Sequence, residues 1–287
     1  MELMDLHTHS NISDGTLSPT ELVRLAHALG LRALALTDHD NLGGLDEALE
    51  ASREFDVELI PGVEISVEFK PGTMHIVGYY IWEGREALAK SLEKLQQARA
   101  DRNPRMVQKL NELGLDVTFE DVRRQAGGEQ IGRPHMAKAL LEKGYVSSMN
   151  EAFDRYLGKG QPAYVDKFRL EPDAAVAMIR KSGGVPGLAH PFTLEVSRSE
   201  LEALVSNLKD QGLEAIEVLS PEHNPDQTHF YQGLAVKYNL VTTGGTDFHG
   251  SNKPGIQLGT GYGNFKVPYD LLKHLKKRRD DIRKSAG

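Results

Sequence analysis

The segment Leu3-Met4-Asp5-Leu6-His7-Thr8-His9-Ser10 places two histidines directly after a short apolar run. Residues two apart on a strand point to the same side, so His7 and His9 can face one ligand together. Further histidines and carboxylates follow in short clusters at 14, 37–40, 62–64, 75, 189–191 and 246–249. No single cluster could complete a metal site. The pattern therefore demands a fold that gathers many distant loops at one point.

Apolar runs alternate with amphipathic helical patterns up to about residue 80 and again after Glu171-Pro172. The first helix opens at Ser18-Pro19-Thr20-Glu21, a capping box with proline at the first helical position, and Gly30 ends it. A second helix is expected near 45–55. The predicted strands are 3–6, 31–36, 57–60, 185–189, 215–219 and 240–243, with 65–69 and 75–80 forming a hairpin.

This alternation predicts an α/β fold with a parallel sheet of about seven barrel-type strands. The histidines and acids mostly fall at the C-terminal ends of the apolar runs, which form the functional face of a β/α barrel. A doubly wound sheet would instead concentrate ligands at one switch point. His75 is the exception, because it begins its apolar run and must reach the face from the return arm of the hairpin.

Residues 84 to about 158 are nearly all helical in pattern, with breaks at Gly114, Gly127-Gly128 and Gly144. Later helices are expected near 173–182, 199–210, 226–238 and 268–284. We therefore predict a barrel domain made of 1–83 and 171–287, and an inserted helical subdomain, 84–170, that covers the active site.

Composition excludes several classes of function. The net charge of -7 argues against a mainly electrostatic grip on long duplex DNA. The absence of cysteine excludes a disulfide framework, a thiolate zinc site and a cysteine nucleophile. Neither a signal peptide nor an apolar run of roughly 20 residues is present, so we expect no membrane partner and a cytoplasmic location. The oligomeric state is not readable from the sequence.

Histidine and carboxylate ligands without thiolates suit Zn, Mn or Fe, and such mixed sites do not select sharply among these metals. A carboxylate can bridge two metals, and paired metals about 3.5–4 Å apart are a standard arrangement for cleaving phosphoesters. We expect divalent metal ions and no organic cofactor.

The motifs, in their order along the chain, resemble those of the PHP (polymerase and histidinol phosphatase) superfamily. The matching segments are Asp5 to Ser10, Asp14-Gly15, Thr37 to Asp40, Pro61 to Ser66, His75 to Gly78, Ala189 to Pro191 and Gly245 to His249. The helical block, with Gly132-Arg133-Pro134-His135 and Tyr156 to Gly160, looks like the TrpH/YciV subfamily.

That resemblance implies a distorted (β/α)7 barrel with two to three divalent metal ions. It implies removal of the 3′-phosphate from 3′,5′-bisphosphonucleosides, 5′-to-3′ trimming of short RNA or DNA oligonucleotides, or both, through a metal-activated hydroxide. Small nucleotides and short 5′-phosphorylated oligonucleotides are then the expected substrates. A histidinol-phosphate-type phosphomonoesterase and a non-catalytic metal-binding module are the alternatives.

Carried over by position, the resemblance implies three metal sites. His7, His9, Glu64 and Asp247 would hold the first metal. Glu64, His75 and His190 would hold the second, and Asp14, His39 and His249 the third. Glu64, Asp247 and His190 would serve catalysis directly, and Arg102, Arg133 and His135 would bind substrate.

Other polar residues carry competing interpretations. Asp5 and Asp38 either orient a histidine or only end a strand. Glu217 and His223 are expected to be structural or rim residues rather than substrate contacts. Arg102, Arg105 and Arg133 either line a solvated helix face or grip phosphate, with Lys159 and Lys167 weaker candidates. We expect His27, His229 and His274 to be ordinary residues, and the basic run 276–279 to be a solvated helix end.

Overall fold

In the computed structural model, which describes residues 1–126 and 130–286, eight strands form one sheet. The strands are β1 (Leu3–Asp5), β2 (Leu31–Leu36), β3 (Glu58–Val67), β4 (Met74–Tyr79), β5 (Val185–Leu188), β6 (Ala215–Leu219), β7 (Val241–Gly244) and β8 (Val267–Pro268). Their order is β7-β6-β5-β4-β3-β2-β1-β8. Beyond the end of β1, the Leu6 amide donates to the Gly244 carbonyl of β7 at 3.2 Å, so the sheet nearly closes. The predicted barrel is confirmed.

The strands β4 and β8 run antiparallel to their neighbours, whereas all other pairs are parallel. Because β4 is reversed, it begins at the edge of the barrel where the parallel strands end. His75, near the start of β4, therefore lies at the same edge as the residues that follow the parallel strands. His75 therefore reaches the functional face from the return arm of the hairpin, as predicted.

Two details of the sheet differ from the prediction. The segments 57–60 and 65–69 belong largely to the single strand β3, which pairs with β2 up to Pro61 and with β4 from Gly62. Gly62 permits this passage, because an added Cβ would lie 2.9 Å from both the Gly78 carbonyl oxygen and a methyl of Thr37. The expected helix start at 268 was also wrong, since β8 and a 3-10 turn (Tyr269–Leu271) precede the last helix.

The helices follow the predicted alternation. They are α1 (Pro19–Ala28), α2 (Leu45–Glu54), α3 (Arg85–Glu112), α4 (Phe119–Gln125), α5 (Arg133–Glu142), α6 (Met149–Ala152), α7 (Pro172–Lys181), α8 (Arg198–Asp210), α9 (Pro225–Lys237) and α10 (Leu272–Ala286). The predicted capping box at Ser18 and Glu21 is present at the start of α1. A π-helical turn (Phe153–Leu157) continues α6. Within the described ranges, no helix is both long and apolar enough to cross a bilayer.

The helical block has a hydrophobic core of its own, formed by buried residues between Met106 and Val165. The long helix α3 contributes to two cores: Leu88, Leu92 and Leu95 pack with the barrel, and its later residues pack within the block. The division into 1–83 with 171–287 and 84–170 stays a prediction. Of the predicted breaks, Gly114 and Gly144 follow helix ends, and Gly127-Gly128 lies outside the described residues.

Candidate metal centre

The nine side chains predicted to bind metal converge at one edge of the barrel. Seven of them follow the ends of parallel strands, whereas Glu64 lies within β3 and His75 lies near the start of the reversed strand β4. Two of them have positive backbone φ angles, 23° at His190 and 54° at Asp247. Such conformations cost energy in non-glycine residues and cluster at functional sites. We call this set the floor: His7, His9, Asp14, His39, Glu64, His75, His190, Asp247 and His249.

Glu64 lies at the centre of the floor and is completely buried. Its Oε1 is 2.7 Å from His75 Nδ1 and 2.8 Å from His190 Nε2. Its Oε2 is 2.9 Å from His39 Nδ1, 3.3 Å from His9 Nε2 and 3.4 Å from His7 Nε2. One carboxylate therefore faces five imidazoles, with its two oxygens directed to different groups of them. This geometry suits a carboxylate that bridges metals.

The remaining carboxylates divide the floor further. Asp247 Oδ1 lies 3.1 Å from His9 Nε2, and Asp14 Oδ1 lies 3.3 Å from His249 Nε2. Ligand atoms within 4.8 Å of one another form three groups. The groups are His7, His9, Glu64 and Asp247; His9, Asp14, His39 and His249; and His39, Glu64 and His75.

The first group coincides with the first predicted site, and the second adds His9 to the third predicted site. The remaining group pairs Glu64 and His75 with His39, where His190 was predicted. His190 is nevertheless adjacent, with its Nε2 3.4 Å from His75 Nδ1. The roles of individual ligands stay predictions.

The electrostatics of the floor follow from burial and from the close opposite charges. Burial lowers the pKa of His39, but Glu64 and Asp14 outweigh it and raise that pKa to about 9. Burial raises the pKa of Glu64, but His75, His39 and His7 outweigh it and hold that pKa well below its usual value. At His75 burial dominates and lowers the pKa to about 4. Glu64 and His39 thus stabilise each other's charged forms, whereas His75 is held in its neutral form.

Several buried atoms of the floor have no hydrogen-bond partner of acceptable geometry. They are His7 Nε2, both ring nitrogens of His9, Asp14 Oδ1, His39 Nδ1 and Glu64 Oε2. Unpaired buried polar atoms are costly, so such a concentration calls for a further partner. Imidazole nitrogens and carboxylate oxygens are suitable ligands for divalent Zn, Mn or Fe. The donor set therefore fits divalent metal ions.

Glu217, expected at the rim or in a structural role, lies beneath the floor and is 1% exposed, which agrees with a structural role and not with the rim. Its carboxylate lies 3.2 Å from His7 Nδ1 and accepts a hydrogen bond of 2.7 Å from the His190 amide. A carboxylate on the far nitrogen of a metal-binding histidine fixes the ring orientation and its tautomer. Glu217 therefore orients His7 and holds the backbone of His190.

Asp5 and Asp38 hold loops rather than imidazole rings. Asp5 accepts hydrogen bonds from the amide and the hydroxyl of Thr246, at 2.9 and 2.6 Å, and from the amide of Gly259 at 2.9 Å. Asp38 accepts from the amide of Ser10 at 2.8 Å and from the hydroxyls of Ser10 and Ser13. Of the two interpretations left open, these contacts favour that of structural residues at strand ends.

A cavity of about 530 Å³ opens above the floor, within the usual size range of ligand sites. Its opposite wall comes largely from the helical block and includes Arg102 and Arg133. Among the described residues, the Arg102 guanidinium donates hydrogen bonds only to the Asn103 amide oxygen, at 2.8 and 3.2 Å. Arg133 donates to the Leu157 carbonyl at 3.4 Å. We call Arg102 and Arg133 the roof.

Neither roof guanidinium forms an ion pair with a carboxylate of the described residues. Burial lowers the pKa of both groups, and neighbouring cations, Arg99 among them, lower it further. A desolvated guanidinium that has no carboxylate partner is stabilised when an anion binds to it. The roof is therefore prepared for a negatively charged ligand.

The predicted contact of His135 with substrate is not supported by its position. The side chain is 1% exposed and does not line the cavity. Its Nδ1 accepts a hydrogen bond of 3.0 Å from the Gly132 amide, which caps the start of α5. His135 thus stabilises the helix that carries Arg133.

The remaining candidate residues either contact neighbouring groups of the protein or are exposed to solvent. Lys159 Nζ donates to the carbonyls of Phe69, Pro71 and Gly72, so it fixes the turn between β3 and β4. His223 packs edge-on against Phe192 and Tyr231 and does not line the cavity. Arg105, His27, His229 and His274 are exposed.

Three residues of the site were not identified as candidates from the sequence: Asp40, Arg99 and Lys253. Asp40 adjoins a predicted ligand, and its carboxylate contacts Arg99 at 2.7 Å and Lys167 at 3.4 Å, which joins the barrel to the helical block. Lys253 Nζ lies 2.8 Å from Asp247 Oδ2, so only Oδ1 of that carboxylate faces the floor. Asp40 could have been noticed within its motif, but Arg99 and Lys253 lie in a long helix and a loop without a distinguishing pattern.

Comparisons with known proteins agree with this arrangement. Residues 5–175 match the model of the PHP domain. The chain is 36% identical to a 3′,5′-nucleoside bisphosphate phosphatase of Chromobacterium violaceum, covering 90% of this chain and 91% of that protein. It is 35% identical to a 5′-3′ exoribonuclease of Haemophilus influenzae, covering 85% and 89%. A solved structure named an amidohydrolase, from Chromobacterium violaceum with bound sulfate and no metal, aligns with a TM-score of 0.87 at 34% identity over 96% of each chain.

Proposed function

The chain belongs to the PHP domain family, and on that premise we propose that it is a metal-dependent phosphoesterase acting on nucleotides. Its preferred substrate is a 3′,5′-bisphosphonucleoside, from which it removes the 3′-phosphate. The observation that carries this proposal is that two kinds of phosphate-binding group, metal ligands and guanidiniums, face the same cavity. The floor supplies ligands for metal, and the roof supplies two guanidiniums that form no ion pair within the part of the chain that the structure describes.

Each wall has its own part in the reaction. Divalent ions held by the nine floor residues would lower the pKa of bound water and neutralise phosphate oxygens as charge develops. Arg102 and Arg133 bind the phosphate that is not cleaved, through charge-assisted hydrogen bonds. Because both walls face one cavity, the scissile ester is held beside the floor by a grip on a different phosphate. Glu217 keeps His7 oriented throughout.

Trimming of short oligonucleotides from the 5′ end is a second activity that the same site could perform. It also requires one terminal phosphate to be held beside one scissile ester, and the Haemophilus influenzae relative is named an exoribonuclease. The cavity volume of about 530 Å³ favours small substrates. We therefore propose that cleavage becomes less efficient as the oligonucleotide lengthens. The choice among Mn, Zn and Fe, and the number of ions, stay predictions that elemental analysis of the purified protein would test.

The proposal is tested by metal-reconstituted assays on a 3′,5′-bisphosphonucleoside, histidinol phosphate and oligonucleotides of increasing length. We expect phosphate release to be most efficient with the bisphosphonucleoside. Asp247→Ala should abolish it, whereas His274→Ala, at an exposed histidine, should leave it unchanged. Activity retained by Asp247→Ala would contradict the proposal. A preference for histidinol phosphate would favour the phosphomonoesterase alternative, and bound metal without hydrolysis would favour a non-catalytic module.

A further inference from the structure

A loop that follows the floor residues Asp247 and His249 forms one side of the cavity mouth. It contributes Lys253, Pro254, Ile256 and Tyr262 to the cavity wall. Tyr262 is 62% exposed although it belongs to that wall, and it is one of two large exposed aromatic side chains among the described residues. The other, Phe168, does not line the cavity. An exposed tyrosine ring at the mouth of a charged cavity offers a large, amphipathic contact surface to a ligand.

The loop is fixed in place, so the ring is presented by a rigid support. Gln257 and Gly261 exchange two backbone hydrogen bonds of 2.8 Å each. The Gly259 amide donates to Asp5 at 2.9 Å, which ties the loop to the end of β1, two residues before His7. Gly261 has φ 54° and lies so close to Pro221 that an added Cβ would meet it at 2.5 Å. A preorganised side chain binds a ligand with little loss of entropy.

Different parts of the cavity therefore suit different chemical groups of a ligand. Its floor suits metal ions, its roof suits an anion, and its mouth, with Tyr262, Pro254 and Ile256, suits a flat apolar group. A nucleotide carries both kinds of group, since its phosphates are charged and its base has a π face. We infer that the nucleobase of the substrate stacks on the ring of Tyr262. This inference rests on the proposed function and adds to it the residue that recognises the base.

Stacking recognises the face of a base rather than its hydrogen-bonding edge, so it tolerates all four bases. The enzyme should accordingly accept purine and pyrimidine nucleotides with similar efficiency and discriminate against substrates that lack a base. The phosphates determine which ester is cleaved, and Tyr262 determines how tightly the nucleoside is held.

The test compares Tyr262→Ala, Tyr262→Phe and wild type on a 3′,5′-bisphosphonucleoside and on ribose 3,5-bisphosphate, which lacks the base. Loss of a stacking ring should raise KM for the nucleotide about 5- to 100-fold with little change in kcat. KM for the base-free substrate should not change. Tyr262→Phe keeps the ring and should behave as wild type. Phe168→Ala is the matched control, since it removes an exposed aromatic ring that lies off the cavity wall.

A second readout does not depend on catalysis. Calorimetric titration should show that wild type binds adenosine 5′-phosphate more tightly than ribose 5-phosphate, and that Tyr262→Ala removes the difference. An equal loss on both ligands, or no loss on either, would overturn the inference. If no substrate is hydrolysed, the proposed function fails, yet the two binding constants still decide whether Tyr262 stacks a base.

Discussion

The floor and the roof face the same cavity, but the floor contains close pairs of opposite charges whereas the roof contains cations without paired carboxylates in the described part of the chain. In the floor, Glu64, Asp247 and Asp14 lie close to imidazoles, so opposite charges stabilise each other before any ligand arrives. In the roof, Arg102 is buried and Arg133 is half-buried, and neither has a carboxylate partner among the described residues. The floor thus contains groups of both charges, and a metal ion can enter it by displacing protons. The roof, in contrast, becomes electrostatically balanced only when an anion binds.

The largest effect is expected from removing the charge at the centre of the floor. Glu64→Gln keeps the size of the side chain but removes the carboxylate that five imidazoles share. We expect kcat/KM to fall about a thousandfold or more, with loss of bound metal measured by elemental analysis. The control is Glu68→Gln, near the end of the same strand, whose carboxylate faces Arg169 at 3.5 Å. Full metal content and activity in Glu64→Gln would contradict the bridging role.

An intermediate effect is expected from the roof, and it should differ in kind. Arg102→Met removes a charge-assisted hydrogen bond to substrate, so kcat/KM should fall about 10- to 100-fold while metal content stays unchanged. The free energy of unfolding of the ligand-free protein should stay constant or increase, because a buried guanidinium without a carboxylate is removed. Steady-state kinetics and denaturant unfolding measure the two quantities.

Arg155→Met provides the matched control for the roof. Arg155 belongs to the same helical block, but its guanidinium is exposed and paired with Glu151. We expect this variant to leave kcat/KM unchanged. If Arg102→Met instead lowered the unfolding free energy without changing KM, Arg102 would be a structural residue and the contrast between roof and floor would fail.

The smallest effect is expected beneath the floor. Glu217→Gln weakens the orientation of His7 without removing a predicted ligand, so the apparent metal affinity should fall about 10- to 100-fold. Excess metal should restore most of the activity, which a metal titration would show. Glu214→Gln is the control, since Glu214 contacts Arg180, Lys209 and Arg278 and no floor residue. That variant should lose stability but not metal affinity, and an activity loss in Glu217→Gln that metal cannot rescue would exclude a positioning role.

The floor was predictable from the sequence because its chemistry coincides with local pattern. His7, His9 and Asp247 each follow a short apolar run, so a barrel brings them to one edge without knowledge of side-chain contacts. Even the reversed position of His75 followed from the hairpin prediction. The continuous strand β3 could not be predicted, because Pro61-Gly62 has the local composition of a turn. Its extended path depends on the close approach of Gly78, which is a tertiary contact.

The roof was harder to predict, because a sequence does not say which face of a helix another element covers. Arg102 lies in a helix with charged residues on several sides, and a solvated face has the same composition. Lys253 lies in a loop, and its contact with Asp247 depends on the conformation of that loop. His135 was selected with Arg133 from one motif, although only Arg133 lines the cavity. Residues that act through tertiary contacts leave no periodic signal.

The division of α3 between two cores has a consequence for exchanging helical blocks among relatives. The helix has 28 residues and is therefore about 42 Å long. Its residues Leu88, Leu92 and Leu95 belong to the barrel core. A graft that begins at residue 84 would therefore replace part of the host barrel together with the block. A chimaera joined within α3 after Leu95 would keep the host barrel intact while importing a new set of substrate contacts.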